Sequence, residues 1–327
     1  MRPLDVPSEA AVVANVAFAV RTERGSVRAA PRPRDNRFGS IRRHAGEGAG
    51  KNLDEQHRAV GECMLRKLFH RAGNRARFVL PPTLMSVAYM LYRAGGAYFQ
   101  DGLVTVHNSD FCKDPKFHEA YALGKAPGSW GRQDVEWRAY VCCWAAWSVR
   151  EKDGDFVECG VNRGGLSRAV SHYVDFASLS KRFWLLDTYE GLPEHLISED
   201  ERRRGILPGG YDACYDQVVE TFRSVPGVQI IKGVVPDTLT QVKAEKICYL
   251  SIDMNNAAPE IAAAESFWDR LVSGGIIVLD DYGWAKQINQ KIAFDKFAAT
   301  RGVRPLSLPT GQALIIKPQR AAKSGPT

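Results

Sequence analysis

The residues able to do chemistry in this chain gather where short apolar runs end. The first group is Glu158-Cys-Gly160-Val-Asn-Arg-Gly164-Gly165, which follows Phe156-Val157. It precedes Leu166, Ala169, Val170 and Tyr173, which fall on one helical face. Glycines here allow a tight turn and close approach of backbone to a ligand. The first N–H groups of a helix favour an anion. Glu158, at the strand end, can accept hydrogen bonds from an ammonium, directly or through water. One loop thus offers both partners for a zwitterion such as the methionine part of S-adenosylmethionine.

Asp187 ends a second run, Phe183-Trp-Leu-Leu186, where a carboxylate can bind ribose hydroxyls. A nicotinamide dinucleotide site would need G-x-G-x-x-G and an acid ~20 residues on. This chain has G-x-x-x-G-G, and Asp187 lies nearly thirty positions after Glu158. The spacing counts against a dehydrogenase.

Asp253 ends a fourth run, and Asp280-Asp281 end a fifth. Ligands of open α/β sheets bind outside the carboxyl ends of strands. Adjacent strands lie ~4.8 Å apart, so these acids can converge. Two like charges 4 Å apart repel by ~4 kcal/mol at an effective dielectric of 20. Such a cluster calls for a cation, a proton or solvent. All-oxygen ligands suit Mg²⁺. The plainer alternative is that Asp280-Asp281 cap the following turn and Asp253 holds no metal.

The elements that must position these residues alternate. Apolar runs at 156–157, 183–186, 228–231, 247–252 and 276–279 read as strands. Helical segments are expected at about 165–178, 212–225, 258–271 and 287–300. That order implies a parallel sheet covered on both faces. Val303–Leu308 and Ala313–Lys317, joined by Pro309-Thr-Gly-Gln312, read as an antiparallel hairpin. The expected fold is therefore α/β: a Rossmann-like seven-stranded sheet, mostly parallel, with a C-terminal antiparallel hairpin and an N-terminal helical extension.

The expected organisation is a disordered basic extension over 1–50, a helical substrate-side extension over 51–150, the cofactor-binding domain over 151–318 and a tail over 319–327. Residues 53–98 show helical spacing, interrupted at Pro81-Pro82. A helix is expected over 134–150, with Trp137, Tyr140, Val141, Trp144 and Trp147 recurring at three- and four-residue intervals. That stripe either packs a core or lines a substrate cleft.

Bulk composition sets the frame. At 327 residues the chain has room for about two domains, and 45% hydrophobic with 25% charged residues is an ordinary globular mixture. Its seven cysteines show no C-x-x-C pattern, which speaks against zinc or a disulfide framework. No apolar run reaches the ~18 residues of a membrane span. Ala10–Val20 lacks a strong basic flank for a signal peptide. A cytoplasmic protein without a membrane partner is expected. The net charge of +7 sits largely in residues 1–50, where Arg28-Ala-Ala-Pro-Arg-Pro-Arg34 interleaves no aromatic residue for base stacking. Nucleic acid is accordingly not the expected partner.

The segments GDFVECGVNRGG, LLDTYEGLPE, KGVVPDTL, YLSIDMN and SGGIIVLDDYG resemble the macrocin O-methyltransferase family. The resemblance covers about 150–318. It implies a class I S-adenosylmethionine-dependent enzyme with divalent-metal dependence that methylates hydroxyls of sugars on natural products. It places Glu158, Gly160 and Gly164 in the cofactor loop, Asp187 at the ribose and Gly233 near the adenine. It makes Asp253, Asp280 and Asp281 the Mg²⁺ ligands. The sequence departs at the fourth strand end. The family often has D-x-D followed by Tyr-Glu, whereas this chain has Asp253-Met254-Asn255 and later Ala258-Pro259-Glu260, so one carboxylate is missing.

The expected mechanism has Asp253 taking a proton from an acceptor hydroxyl, with His107 and His195 as alternative bases. The acceptor pocket is expected from about 104–150 and 192–211. Arg202, Arg203 and Arg204 read either as contacts for an acidic acceptor or as a solvated charge run. A homo-oligomer is compatible with this plan. The rival functions are a nucleic-acid methyltransferase, a non-catalytic S-adenosylmethionine-binding protein and a dehydrogenase. The first lacks both the N-P-P-[YFW] sequence and a Pro-Cys nucleophile.

Overall fold

The computed structural model describes residues 98–105 and 107–319. The expectations for residues 1–50 and 53–97, and for the tail beyond Gln319, lie outside the described residues. The first described elements are two three-residue strands, β1 (Tyr98–Gln100) and β2 (Leu103–Thr105), paired antiparallel. Their turn, Asp101-Gly102, has φ of +53° and +73°. Two-residue hairpin loops demand such positive values.

Helix α1 (Pro115–Lys125) begins with proline in its first turn, and the Asp114 carboxylate accepts the Phe117 N–H at 2.8 Å. That is a standard N-cap. Helix α2 (Glu136–Val149) fills the stretch where the aromatic stripe predicts one. Trp137 packs edge-on against Tyr98, and Tyr140 stacks on Phe111 at 4.2 Å. Trp144 and Trp147 are exposed. The stripe is split between packing and solvent, and none of its residues lines the cavity described below.

The sheet elements follow: β3 (Asp155–Cys159), α3 (Gly165–Tyr173), β4 (Phe183–Asp187), the short α4 (Glu199–Arg203), α5 (Tyr215–Phe222) and β5 (Val228–Lys232). Then come β6 (Ile247–Ile252), α6 (Ala257–Trp268), β7 (Leu271–Leu279), α7 (Ile288–Thr300), β8 (Leu306–Ser307) and β9 (Ala313–Ile316). The strand order is β5-β4-β3-β6-β7-β9-β8. Strands β3 to β7 are mutually parallel, β9 runs antiparallel to β7, and β8 pairs antiparallel with β9. This is the seven-stranded, mostly parallel sheet with a terminal hairpin that the pattern predicts. Two bounds differ. Strand β7 starts at Leu271, where a helix end is expected, because Leu271 pairs with Ile247. The expected strand over 303–308 shortens to Leu306–Ser307.

Alternate residues of each strand face opposite sides. Phe156, Phe183 and Tyr249 pack with Ala139, Ala169 and Phe222 on one face. Val157, Leu186 and Ile252 pack with Phe267 and Phe294 on the other. Each fully buried large apolar side chain contributes roughly 1.5–3 kcal/mol. Both faces are thus fixed, and so is the level at which the strands end.

That level positions the site. From β3 the chain winds outward through β4 to β5, then returns to β3's other side at β6. Backbone rungs continue one residue past the strands: Gly160 N–H to Leu186 O, Asp253 N–H to Cys159 O and Asp280 N–H to Ile252 O, at 2.8–3.0 Å. Gly160, Asp253 and Asp280 therefore meet at the switch point, where a crevice is expected. Among the described residues, no helix is long and apolar enough to cross a membrane.

Candidate active site

The loop after β3 needs three left-handed residues: Gly160 at φ +88°, Asn162 at +50° and Gly164 at +84°. Most backbone N–H groups of this loop already have partners. Val161 and Asn162 donate their N–H groups to Asp187 Oδ2 at 2.6 and 2.7 Å. Gly165 donates its N–H to Ser129 Oγ at 2.9 Å. The first N–H of α3 is thus held by Ser129 from the N-terminal side.

Asp187 has a further part beside the expected one. Its other oxygen, Oδ1, accepts the Tyr189 N–H at 2.7 Å and the Thr188 hydroxyl at 3.2 Å. Both lone pairs of Oδ2 are used. The carboxylate sits at the expected strand end and braces the cofactor loop. Removing it would orphan the Val161 and Asn162 donors. Asp187→Ala is therefore expected to cost roughly 2–4 kcal/mol, with Asp187→Asn milder because one acceptor oxygen remains. Thermal denaturation checks this, and wild-type stability in Asp187→Ala would rule out the brace.

Glu158 is 1% exposed, and its Oε2 makes no hydrogen bond. The Ser167 hydroxyl lies near enough to favour the ionised form without meeting Oε2 in good geometry. Burial pushes the Glu158 carboxyl up to about 8, and the charges of Asp280 and Asp187 add to the shift. A buried acceptor with no donor is costly. A cationic ammonium in the cavity would satisfy it.

Across the cavity, Asp253, Asp280 and Asp281 offer oxygens that all lie within 4.8 Å of one another. Asp253 is half-buried, while Asp280 and Asp281 are buried. Gln312 donates to Asp280 Oδ1 at 2.8 Å, and Arg138 Nη1 donates to Oδ2 at 2.6 Å. Gln290 donates to Asp281 Oδ2 at 3.3 Å. Glu260 lies behind them, accepting the Met254 N–H at 2.9 Å and Gln290 Nε2 at 3.1 Å. These side-chain partners replace the turn-capping alternative for Asp280-Asp281.

Burial, reinforced by Asp280 and Asp281, holds Asp253 well above the usual carboxylate range. Burial and Asp280 push Asp281 up to about 7, and burial and Asp281 push Glu260 up to about 8. A crowded, all-oxygen set with more negative charge than Arg138 can balance fits a hard divalent cation. Asn255, where the family often has a second acid, has φ +61° and donates to Asp253 Oδ1 at 3.4 Å. Tyr211 lies beside it, its phenol pushed up to about 12 by burial and the nearby acids.

Glu158, Gly160, Asp187, Gly233, Asp253, Asp280 and Asp281 all line one cavity of about 370 Å³. Gly164 does not line it and packs instead under the Phe222 ring. Gly233 donates its N–H to the Asp187 carbonyl at 2.9 Å, at the far end. Ser129, Trp130, Gln133, Val135 and Arg138 line it from the N-terminal side, and Leu192, Pro193, Leu196 and Tyr211 from the loop after β4. His107 and His195 are not among the lining residues. Arg202 pairs with Glu194, and Arg203 and Arg204 with Asp200, at the surface. They form the solvated charge run. Sequence spacing gives no signal for Ser129, Arg138, Gln312 or Glu260.

The sequence profile of the macrocin-O-methyltransferase (TylF) family matches residues 142–307. A curated relative from Streptomyces olivaceus, an 8-demethyl-8-(2,3-dimethoxy-alpha-L-rhamnosyl)-tetracenomycin-C 4'-O-methyltransferase, is 29% identical over 144 residues. The match covers 39% of this chain and 53% of the relative, so the chain spans about half that protein's length. Among solved structures, the O-methyltransferase NovP is 20% identical, covering 56% of this chain and 80% of that one, with a TM-score of 0.47. The calicheamicin methyltransferase CalS11 is 17% identical, covering 86% and 99%, with a TM-score of 0.41. The matched stretch runs from within α2 to the end of β8 and holds Glu158, Asp187 and all three clustered acids. The chain belongs to the macrocin-O-methyltransferase (TylF) family.

Proposed function

We propose that the protein transfers a methyl group from S-adenosylmethionine to a hydroxyl of a sugar-like small molecule, assisted by Mg²⁺. One observation carries this reading. The unsatisfied Glu158 Oε2 and the acids Asp253, Asp280 and Asp281 open onto the same cavity. Family membership and the sugar acceptor in the name of the Streptomyces olivaceus relative support it.

Glu158 would accept the cofactor's ammonium. Gly160 lets the loop approach, Gly164 lets it turn into α3 beneath Phe222, Asp187 holds that loop at the ribose side, and Gly233 borders the adenine end. Asp253, Asp280 and Asp281 would hold the cation. When bound, the cofactor supplies an electrophilic methyl group and the cation supplies positive charge that eases loss of a hydroxyl proton. Asp253, the half-buried member of the cluster that lines the cavity, would take that proton. Most of the acceleration comes from holding two reactants in line inside one cavity. Among the described residues six cysteines are free thiols, five of them buried, which suits a cytoplasmic setting.

The test is methyl transfer from labelled S-adenosylmethionine to a panel of glycosides, with and without EDTA, in wild type and Asp280→Asn. Both EDTA and the substitution are expected to reduce turnover by ~100-fold or more, with Mg²⁺ restoring only the EDTA-treated wild type. Unchanged turnover in both removes the metal from the reading. Failure to bind S-adenosylmethionine at all removes the enzyme.

A further inference from the structure

Arg138 lies in the first turn of α2, 142 positions before Asp280, yet its guanidinium is part of the carboxylate cluster. Its side chain is only 18% exposed. Nη1 holds Asp280 Oδ2 at 2.6 Å, while Nε and Nη2 hold the two oxygens of Asp101 at 2.6 and 3.2 Å. Asp101 sits in the β1–β2 turn, its side chain 9% exposed. The Trp284 ring lies 5.8 Å from the guanidinium carbon on another side. Arg138 cannot swing to solvent without leaving two buried acids unpaired. Its fork therefore shares one fixed positive charge between a turn and a candidate metal ligand.

We infer that Arg138 is the resident cation of the cluster, a positioning residue that weakens and tunes uptake of the divalent ion, and that Asp101 divides its charge. The inference rests on the metal reading above. Arg138 keeps Asp280 aimed at Asp253 and Asp281 when no metal is bound. The same charge repels an incoming cation. Asp101 draws part of it away, so losing the Asp101 charge leaves Arg138 wholly on Asp280.

The two partners therefore have opposite signs. Calorimetric titration with Mn²⁺ or Mg²⁺, without substrate, reads them directly. Arg138→Met is expected to bind the ion on the order of ten- to a hundredfold more tightly than wild type, and Asp101→Asn about threefold or more weakly. Arg138→Lys, which keeps the charge, should stay within about threefold of wild type. The thermal midpoint of Arg138→Met should also rise more on adding Mg²⁺ than that of wild type. A merely structural arginine would move Arg138→Met and Asp101→Asn in the same direction, and that result overturns the inference. If Arg138→Met does not fold, Asp101→Asn decides alone, and affinity equal to or tighter than wild type sinks the idea. Binding by wild type with no change in Arg138→Met removes only this inference. No ion uptake by either protein removes the metal reading as well.

Discussion

Gly160→Ala is expected to lower the thermal midpoint by on the order of 10 °C, a loss of roughly 3–5 kcal/mol for adding one methyl group. The residue has φ +88°, where an L side chain is strained. A Cβ there would fall deep inside the van der Waals envelope of the Asp253 carbonyl oxygen and carbon. Those are backbone atoms, pinned by the Asp253 N–H bond to Cys159 O at 2.8 Å. Relief must come from parting the ends of β3 and β6, which also displaces Asp253 from the cluster. Metal uptake should fall together with stability. Gly164→Ala meets only the Phe222 ring, at 2.6 Å, and should be less damaging. Melting curves followed by circular dichroism decide it. A Gly160→Ala midpoint close to wild type would mean the strand ends yield far more easily than their hydrogen bonds imply.

The second large effect is on pH dependence. The metal-free protein is expected to lose stability as pH rises from about 5 to about 8, the reverse of ordinary acid denaturation. Folding raises Glu158 and Glu260 from 4.5 to about 8, and Asp281 from 3.8 to about 7. Burial is the leading cause in each. Between those values the folded state keeps protons that the unfolded chain has released. Unfolding then releases protons, and each such group costs about 1.4 kcal/mol per pH unit. Asp253 adds in the same direction. The acids share one site, so their costs do not sum in full. A net loss of ~2–4 kcal/mol is expected. Mg²⁺ should restore stability at the alkaline end, where it replaces protons. Urea denaturation of EDTA-treated protein across this range tests the point. A midpoint that climbs with pH would show the cluster already neutralised in another way.

How much was legible in the sequence depended on how local the cause was. Strands β3, β4, β6 and most of β7 are buried on both faces, so they read as apolar runs, and their terminal acids could be picked out by position. Asp253, Asp280 and Asp281 converge because the sheet's register brings those ends level. The β1–β2 hairpin was not legible, since three residues per strand carry no usable period. The bracing role of Asp187 was not legible for a different reason. An acid at a strand end accepts hydrogen bonds from whichever donors the neighbouring loop turns inward, and here those are Val161 and Asn162. Arg138 and Gln312 reach Asp280 from α2 and from just before β9, across 142 and 32 positions. Such contacts are set by how elements dock, which residue spacing does not record.

Helix α1 crosses α3 at a pair of glycines. A Cβ on Gly124 would lie 2.6 Å from the Gly165 carbonyl oxygen and 2.9 Å from Ala169 Cβ. A Cβ on Gly165 would lie 2.8 Å from the same Ser129 hydroxyl that caps it. Positions 124, 129 and 165 therefore behave as one heritable locus. A lineage enlarging any one of them would have to move the helix crossing and the mouth of the cofactor loop together, so tolerated changes there should arrive in concert or not at all.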